Sequence, residues 1–155
     1  MTNDNTISNT VLIRKEMQKL RNASEQTLCL YNEETKHNRI SWYRNSYRII
    51  DQENEKPIER AYKLFLKKLD ISTEEAPIAI QSDKRIVFHS KNFCPTLEAC
   101  KLLGLDTRKI CKLMNEDATD AFLKEINPNL KFSRNYEKLR PYSEYCEEII
   151  EYIKE

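Results

Sequence analysis

Glycine is almost missing from this chain: Gly104 is the only one in 155 residues. So rare a glycine is expected to stand where the backbone requires it, and collagen-like or glycine-rich linker architectures are excluded. Apolar residues are also scarce, at 39% against 33% charged. No apolar run approaches the roughly 20 residues that span a bilayer, so no membrane partner is expected. An excess of one charge is lacking too. The 26 basic and 25 acidic side chains leave a net +1, and no whole-protein field favours nucleic acid. The first residues, Met1-Thr2-Asn3-Asp4-Asn5, have none of the charged and apolar regions of a signal peptide. With five cysteines, an odd number, this predicts reduced thiols and a cytoplasmic location. Internal repeats, heptads and low-complexity linkers are absent as well.

What remains is apolar periodicity under a heavily charged surface, enough for one domain of ordinary size. Residues 1–8 are polar and expected to be disordered, leaving a single domain over 9–155. From Asn9 or Thr10, the pattern Ile13, Met17, Leu20 and Leu28 predicts an amphipathic helix. Alternation from Ile40 to Ile50, through Trp42, Tyr43 and Tyr47, predicts a strand. Pro57 opens the clearest helix, with Ile58, Ala61, Tyr62, Phe65, Leu66 and Leu69 on one face. Pro77-Ile78-Ala79-Ile80 and Arg85-Ile86-Val87-Phe88-His89 flank Ser82-Asp83-Lys84, predicting a β-hairpin near 77–89. Two short helices follow, one from Pro95 to about Leu103 that stops at Gly104, the other capped by Asp106. A further helical turn follows Asp117, and Asn127-Pro128 breaks it. Residues 130–134 add a strand, and Pro141 precedes a last helix with Tyr145, Ile149 and Ile150 inward. The fold class is α+β, with a small antiparallel sheet and flanking helices.

Four of the five cysteines, Cys94, Cys100, Cys111 and Cys146, fall in the C-terminal part of the chain. A Cys-ligated metal site is one reading. The gaps of five, ten and thirty-four residues lack the tight knuckle of structural zinc sites, so no metal ligand is assigned. Cys100 and Cys111 sit among apolar neighbours at helical spacing, as small core residues do. Cys94 is different. Pro95 places it at a helix N-cap, where the partial positive charge of the helix end favours a thiolate. Cys94 is therefore the candidate nucleophile, with His89 or Glu98 as candidate proton acceptors. Arg134 or Arg140 is the candidate anchor for an anionic group. No pattern names a cofactor.

From Cys94 to Glu147 the order of landmarks resembles the family around L-2-amino-thiazoline-4-carboxylic acid hydrolase. The elements are Cys94-Pro95, Glu98, Leu103-Gly104, Cys111, Asn127-Pro128, Arg134 and Cys146-Glu147, covering about a third of the chain. Two features depart from that pattern: a Cys-Glu pair where the family has Cys-Asp, and no glycine in Tyr142-Ser143-Glu144-Tyr145. The resemblance implies a shared fold with a small-molecule pocket lined by Cys94, Cys111 and Cys146. It also implies a hydrolase acting on a small anionic cyclic amide or amidine.

The same residues support rival readings. Thr96 to Leu113 has the layout of a helix-turn-helix, with Ala99 at the crossing and Thr107, Arg108, Lys109 and Lys112 on the second helix. Lys36, Arg39, Arg44 and Arg48, interleaved with Trp42, Tyr43 and Tyr47, would suit nucleic-acid backbone and stacked bases. A third reading is a protein-interaction module. The acidic end, Glu144, Glu147, Glu148, Glu151 and Glu155, would form one helix face that meets a basic partner or a second copy in a homodimer.

Overall fold

Leu20 and Leu28 do not share a helix. The structure, a computed structural model, describes residues 3–47 and 55–153. Its first helix, α1 (Asn3–Leu20), starts earlier than Asn9 and gives way at Asn22, whose φ of 59° is left-handed. Asparagine is one of the few residues that tolerates this conformation. The chain then restarts as α2 (Glu25–Ser46), where the Ser24 hydroxyl accepts from the Thr27 N–H at 3.1 Å.

The strand expected over Ile40–Ile50 is instead the last part of α2. Arg48, Ile49 and Ile50 lie outside the described residues. Positions 40, 43 and 47 take the i, i+3, i+7 spacing of a helix, positions 40 and 42 the spacing of a strand, and packing decides between them. Tyr43 is buried, while the Trp42 and Tyr47 rings meet at 4.5 Å against the same core. Their β propensity yields to that burial.

Helix α3 (Pro57–Leu69) buries Ile58, Ala61, Tyr62, Phe65 and Leu66 on the expected face and ends at Asp70. The hairpin follows as β1 (Ile78–Gln81) and β2 (Arg85–Ser90), paired antiparallel. Next come α4 (Pro95–Leu103), α5 (Thr107–Cys111), a π-helical turn (Lys112–Glu116) and α6 (Asp117–Ile126). Gly104 stops α4 at φ 68°, and the Asp106 carboxylate caps α5 by accepting from the Arg108 N–H at 2.9 Å.

β3 (Leu130–Arg134) completes the expected strands, but the last element is β4 (Cys146–Tyr152), not a helix. Its glutamates and isoleucines are compatible with either state. The strand wins because it fills the centre of an antiparallel sheet ordered β1-β2-β4-β3, with both edges hydrogen-bonded. The acidic run is therefore split between two sheet faces and forms no helix face; Glu155 lies outside the described residues.

Two apolar clusters result. One packs α3, α6 and the end of α2 on the sheet. The other gathers Leu20, Leu28, Ala99, Cys100, Ile110 and Met114 from α1, α2, α4, α5 and the π turn. α2 is long enough to enter both. The molecule is an α+β domain, and no helix among the described residues is long and apolar enough to cross a membrane.

Candidate functional site

Because side chains alternate along a strand, Cys146, Glu148 and Ile150 of β4 share one face. Ile150 lies between Ile86 of β2 and Phe132 of β3, Glu148 lies between Phe88 and Arg134, and Cys146 lies beside Ser90. This inner face thus passes from apolar to polar along β4. Its polar end opens into a cavity of about 260 Å³, closed by the N-terminus of α4, the π turn, α2 and the loop between β3 and β4.

Cys94, Cys111 and Cys146 all line this cavity, as do Arg134 and Arg140. Arg39, Ser90, Asn92, Asn115 and Glu148 join them, none of which the sequence placed in a pocket. Arg39 had a signal. Read as one helix, α2 places Leu28, Asn32, Arg39 and Tyr43 at multiples of its period, and an arginine in such a stripe marks an inward polar position.

The polar wall is one connected network. Arg134 Nε donates to Glu148 Oε1 at 2.9 Å, and the Ser90 hydroxyl donates to Glu148 Oε2 at 2.5 Å. Arg134 also donates through Nη1 to Asn115 Oδ1. The Asn115 carbonyl accepts from the Thr119 hydroxyl at 2.8 Å, and that hydroxyl accepts from Arg39 Nη1 at 2.7 Å. The π turn holds Asn115 in this position, and such turns recur at functional sites. Arg140 stands apart from this chain of contacts. Its Nη1 donates to the Asn92 carbonyl at 2.7 Å, its Nε lies 3.3 Å from Cys146 Sγ, and its own carbonyl accepts from the Thr107 hydroxyl at 2.7 Å.

The electrostatics follow from burial. Burial disfavours the charge on Arg39, and the neighbouring Arg134 adds to the effect, lowering it to about 10. Burial also opposes the charge on Arg134, and is the largest single influence on it, but Glu148, Cys111 and Tyr136 together outweigh burial and hold the guanidinium above its ordinary range. Cys94 occupies the N-cap of α4 in extended backbone. The N–H groups of Leu97 and Thr96 face its sulfur without forming a capping bond, and they favour the anion, as does Arg140. Burial outweighs all three and pushes the thiol up. Burial pushes Cys111 and Cys100 up as well, each to about 12.

The two candidate proton acceptors stand away from the cavity. His89 lies between Phe88 and Ser90 in β2, so it faces the opposite side of the sheet. There it meets Glu147 at 3.1 Å and stacks on Tyr145 at 3.7 Å. Glu98, one turn into α4, pairs with Lys101 at 3.4 Å. Cys100 is buried in the second apolar cluster.

Four of the residues named for nucleic acid form ion pairs within the chain. Arg44 pairs with Glu125 at 2.6 Å, Lys109 with Glu25 at 3.1 Å, and Lys112 with Glu116 at 3.3 Å. Arg108 closes on Asp106 at 3.0 Å, and Thr107 and Ile110 are buried in an α5 of only five residues. Among the described residues, no group of three or more His, Cys, Asp or Glu side chains is arranged to hold a metal ion. Comparison with family models, with curated proteins and with solved structures finds no match.

Proposed function

We propose that the cavity binds a small anionic molecule and that Cys94 acts on it as a nucleophile, opening a C–N bond of a cyclic amide or amidine. One observation carries this reading. Among the described residues, three thiols and three guanidinium groups from distant parts of the chain share one cavity with a single carboxylate. At about 260 Å³ it lies below the usual range for drug-sized ligands, which suits a small ring.

Among the described residues the cavity has no histidine, and its one carboxylate is engaged by Arg134 and Ser90. A resting thiol therefore needs a proton acceptor carried by the substrate. A basic amidine nitrogen meets that need. The ring nitrogen takes the Cys94 proton as sulfur bonds to the amidine carbon, a second proton passes to it from the other amidine nitrogen as the ring C–N bond breaks, and water hydrolyses the resulting thioimidate to an amide and the free thiol. All five cysteines are unpaired, which suits a reducing cytoplasm.

The test uses two alkylating agents that differ in charge, iodoacetate and iodoacetamide. Labelling at each cysteine is followed by peptide mass spectrometry. The cationic cavity should raise the iodoacetate-to-iodoacetamide rate ratio at Cys94 about tenfold over the ratio at exposed Cys29. Equal ratios at the two sites would sink the reading, whatever the absolute rates.

A further inference from the structure

Among the described residues, Arg39, Arg134 and Arg140 face one cavity with Glu148 as its only carboxylate, three positive charges against one negative. These charges are not distributed evenly. Glu148 belongs to Arg134, its direct partner across the β3–β4 register, and its second oxygen is taken by Ser90. Arg39 and Arg140 form no ion pair with a carboxylate among the described residues. Each is held by neutral acceptors, Arg39 by the Thr119 hydroxyl and Arg140 by the Asn92 carbonyl and Cys146 sulfur. A guanidinium carries five N–H donors, so each retains donors for a bidentate oxyanion. Both residues are half-buried in a cavity with an excess of positive charge, which a ligand carrying anions offsets.

The two arginines come from different elements, Arg39 from the middle of α2 and Arg140 from the loop between β3 and β4. The remaining wall includes Phe65, Leu69, Ile71 and Leu139, which offer nothing to a charge. We infer that the ligand carries two separate carboxylates on the small skeleton that holds its ring, one bound by Arg39 and the other by Arg140. This rests on the anionic-pocket reading above and deepens it. Arg134, paired with Glu148, is then a positioning residue and not a ligand anchor.

Calorimetric titration of the intact protein with straight-chain acids tests this directly. Malonate, succinate, glutarate and adipate are compared with propionate, butyrate, valerate and inorganic phosphate. At least one dicarboxylate should bind ten times more tightly than the monocarboxylate of equal chain length. Arg39→Gln should remove that preference and leave monocarboxylate affinity within about twofold. If Arg39→Gln does not fold by circular dichroism, Arg140→Gln should remove the same preference. Monocarboxylates binding as tightly as every dicarboxylate would overturn the two-anchor inference while leaving the anionic pocket standing. Phosphate binding more tightly than every dicarboxylate would overturn it too, because one doubly charged centre would then suffice. No binding by any of these anions would overturn both.

Discussion

Arg134 and Glu148 are direct cross-strand partners in β3 and β4, joined Nε to Oε1 at 2.9 Å with side chains only 8% and 6% exposed. Few contacts in the molecule are so sheltered from water, and it divides the apolar sheet core from the cavity. Removing one member of a buried pair strands the other charge, at a cost of about 3–5 kcal/mol. Arg134→Met and Glu148→Gln should each lower stability by about that much in urea unfolding. The double variant Arg134→Met/Glu148→Leu should recover most of the loss, since both charges leave together. A loss below about 1 kcal/mol in the single variants would mean that water reaches the pair.

Gly104 ends α4 at φ 68°, and a Cβ placed there would meet nothing within 4 Å. Space is therefore not the constraint; the backbone is. Gly104→Ala should lower stability by about 1 kcal/mol through the left-handed penalty. Thiol labelling should be unchanged. A neutral result in urea unfolding would show that the turn relaxes to a different conformation.

Thiolate, not thiol, reacts with alkylating agents. Burial raises Cys94 and pushes Cys100 and Cys111 to about 12, whereas Cys29 is exposed. Limiting iodoacetamide at pH 8 should modify Cys29 first, with Cys100 and Cys111 labelled only on unfolding or at much higher pH. Labelling of Cys111 as fast as Cys29 would contradict the burial argument.

Glu147 lies on the outer sheet face, and its carboxyl is held below the ordinary value, first by the Asn135 side chain and then by His89. A carboxyl with a depressed folded-state value stabilises the protein above its unfolded value and loses that contribution as pH falls through the folded one. Stability should therefore decline on acidification through the carboxylate range. Glu147→Gln should flatten part of that decline in urea midpoints measured from pH 6 to pH 3. An unchanged slope would place the acid sensitivity elsewhere.

Local signals carried much of the fold. Proline and the Asp106 cap mark helix starts, Gly104 marks a stop, and Ser82-Asp83-Lys84 marks the hairpin, because each acts through its own backbone or the next few residues. Cys94 was legible as an N-cap for the same reason. Tertiary packing decided the rest. Residues 40–47 and 146–152 are compatible with more than one period, and their state depends on what they pack against. α2 became a helix because Tyr43 could be buried beside Phe122, at a ring distance of 6.5 Å. β4 became a strand because β2 and β3 left a gap between them. Those two outcomes also settled the site. The strand turned Cys146 and Glu148 inward and put His89 on the far side of the sheet, while the helix turned Arg39 into the cavity. A charge pattern along one chain records which side chains exist; which of them share a cavity is set by long-range contacts such as that of Asn32 with Ala118, 86 residues apart.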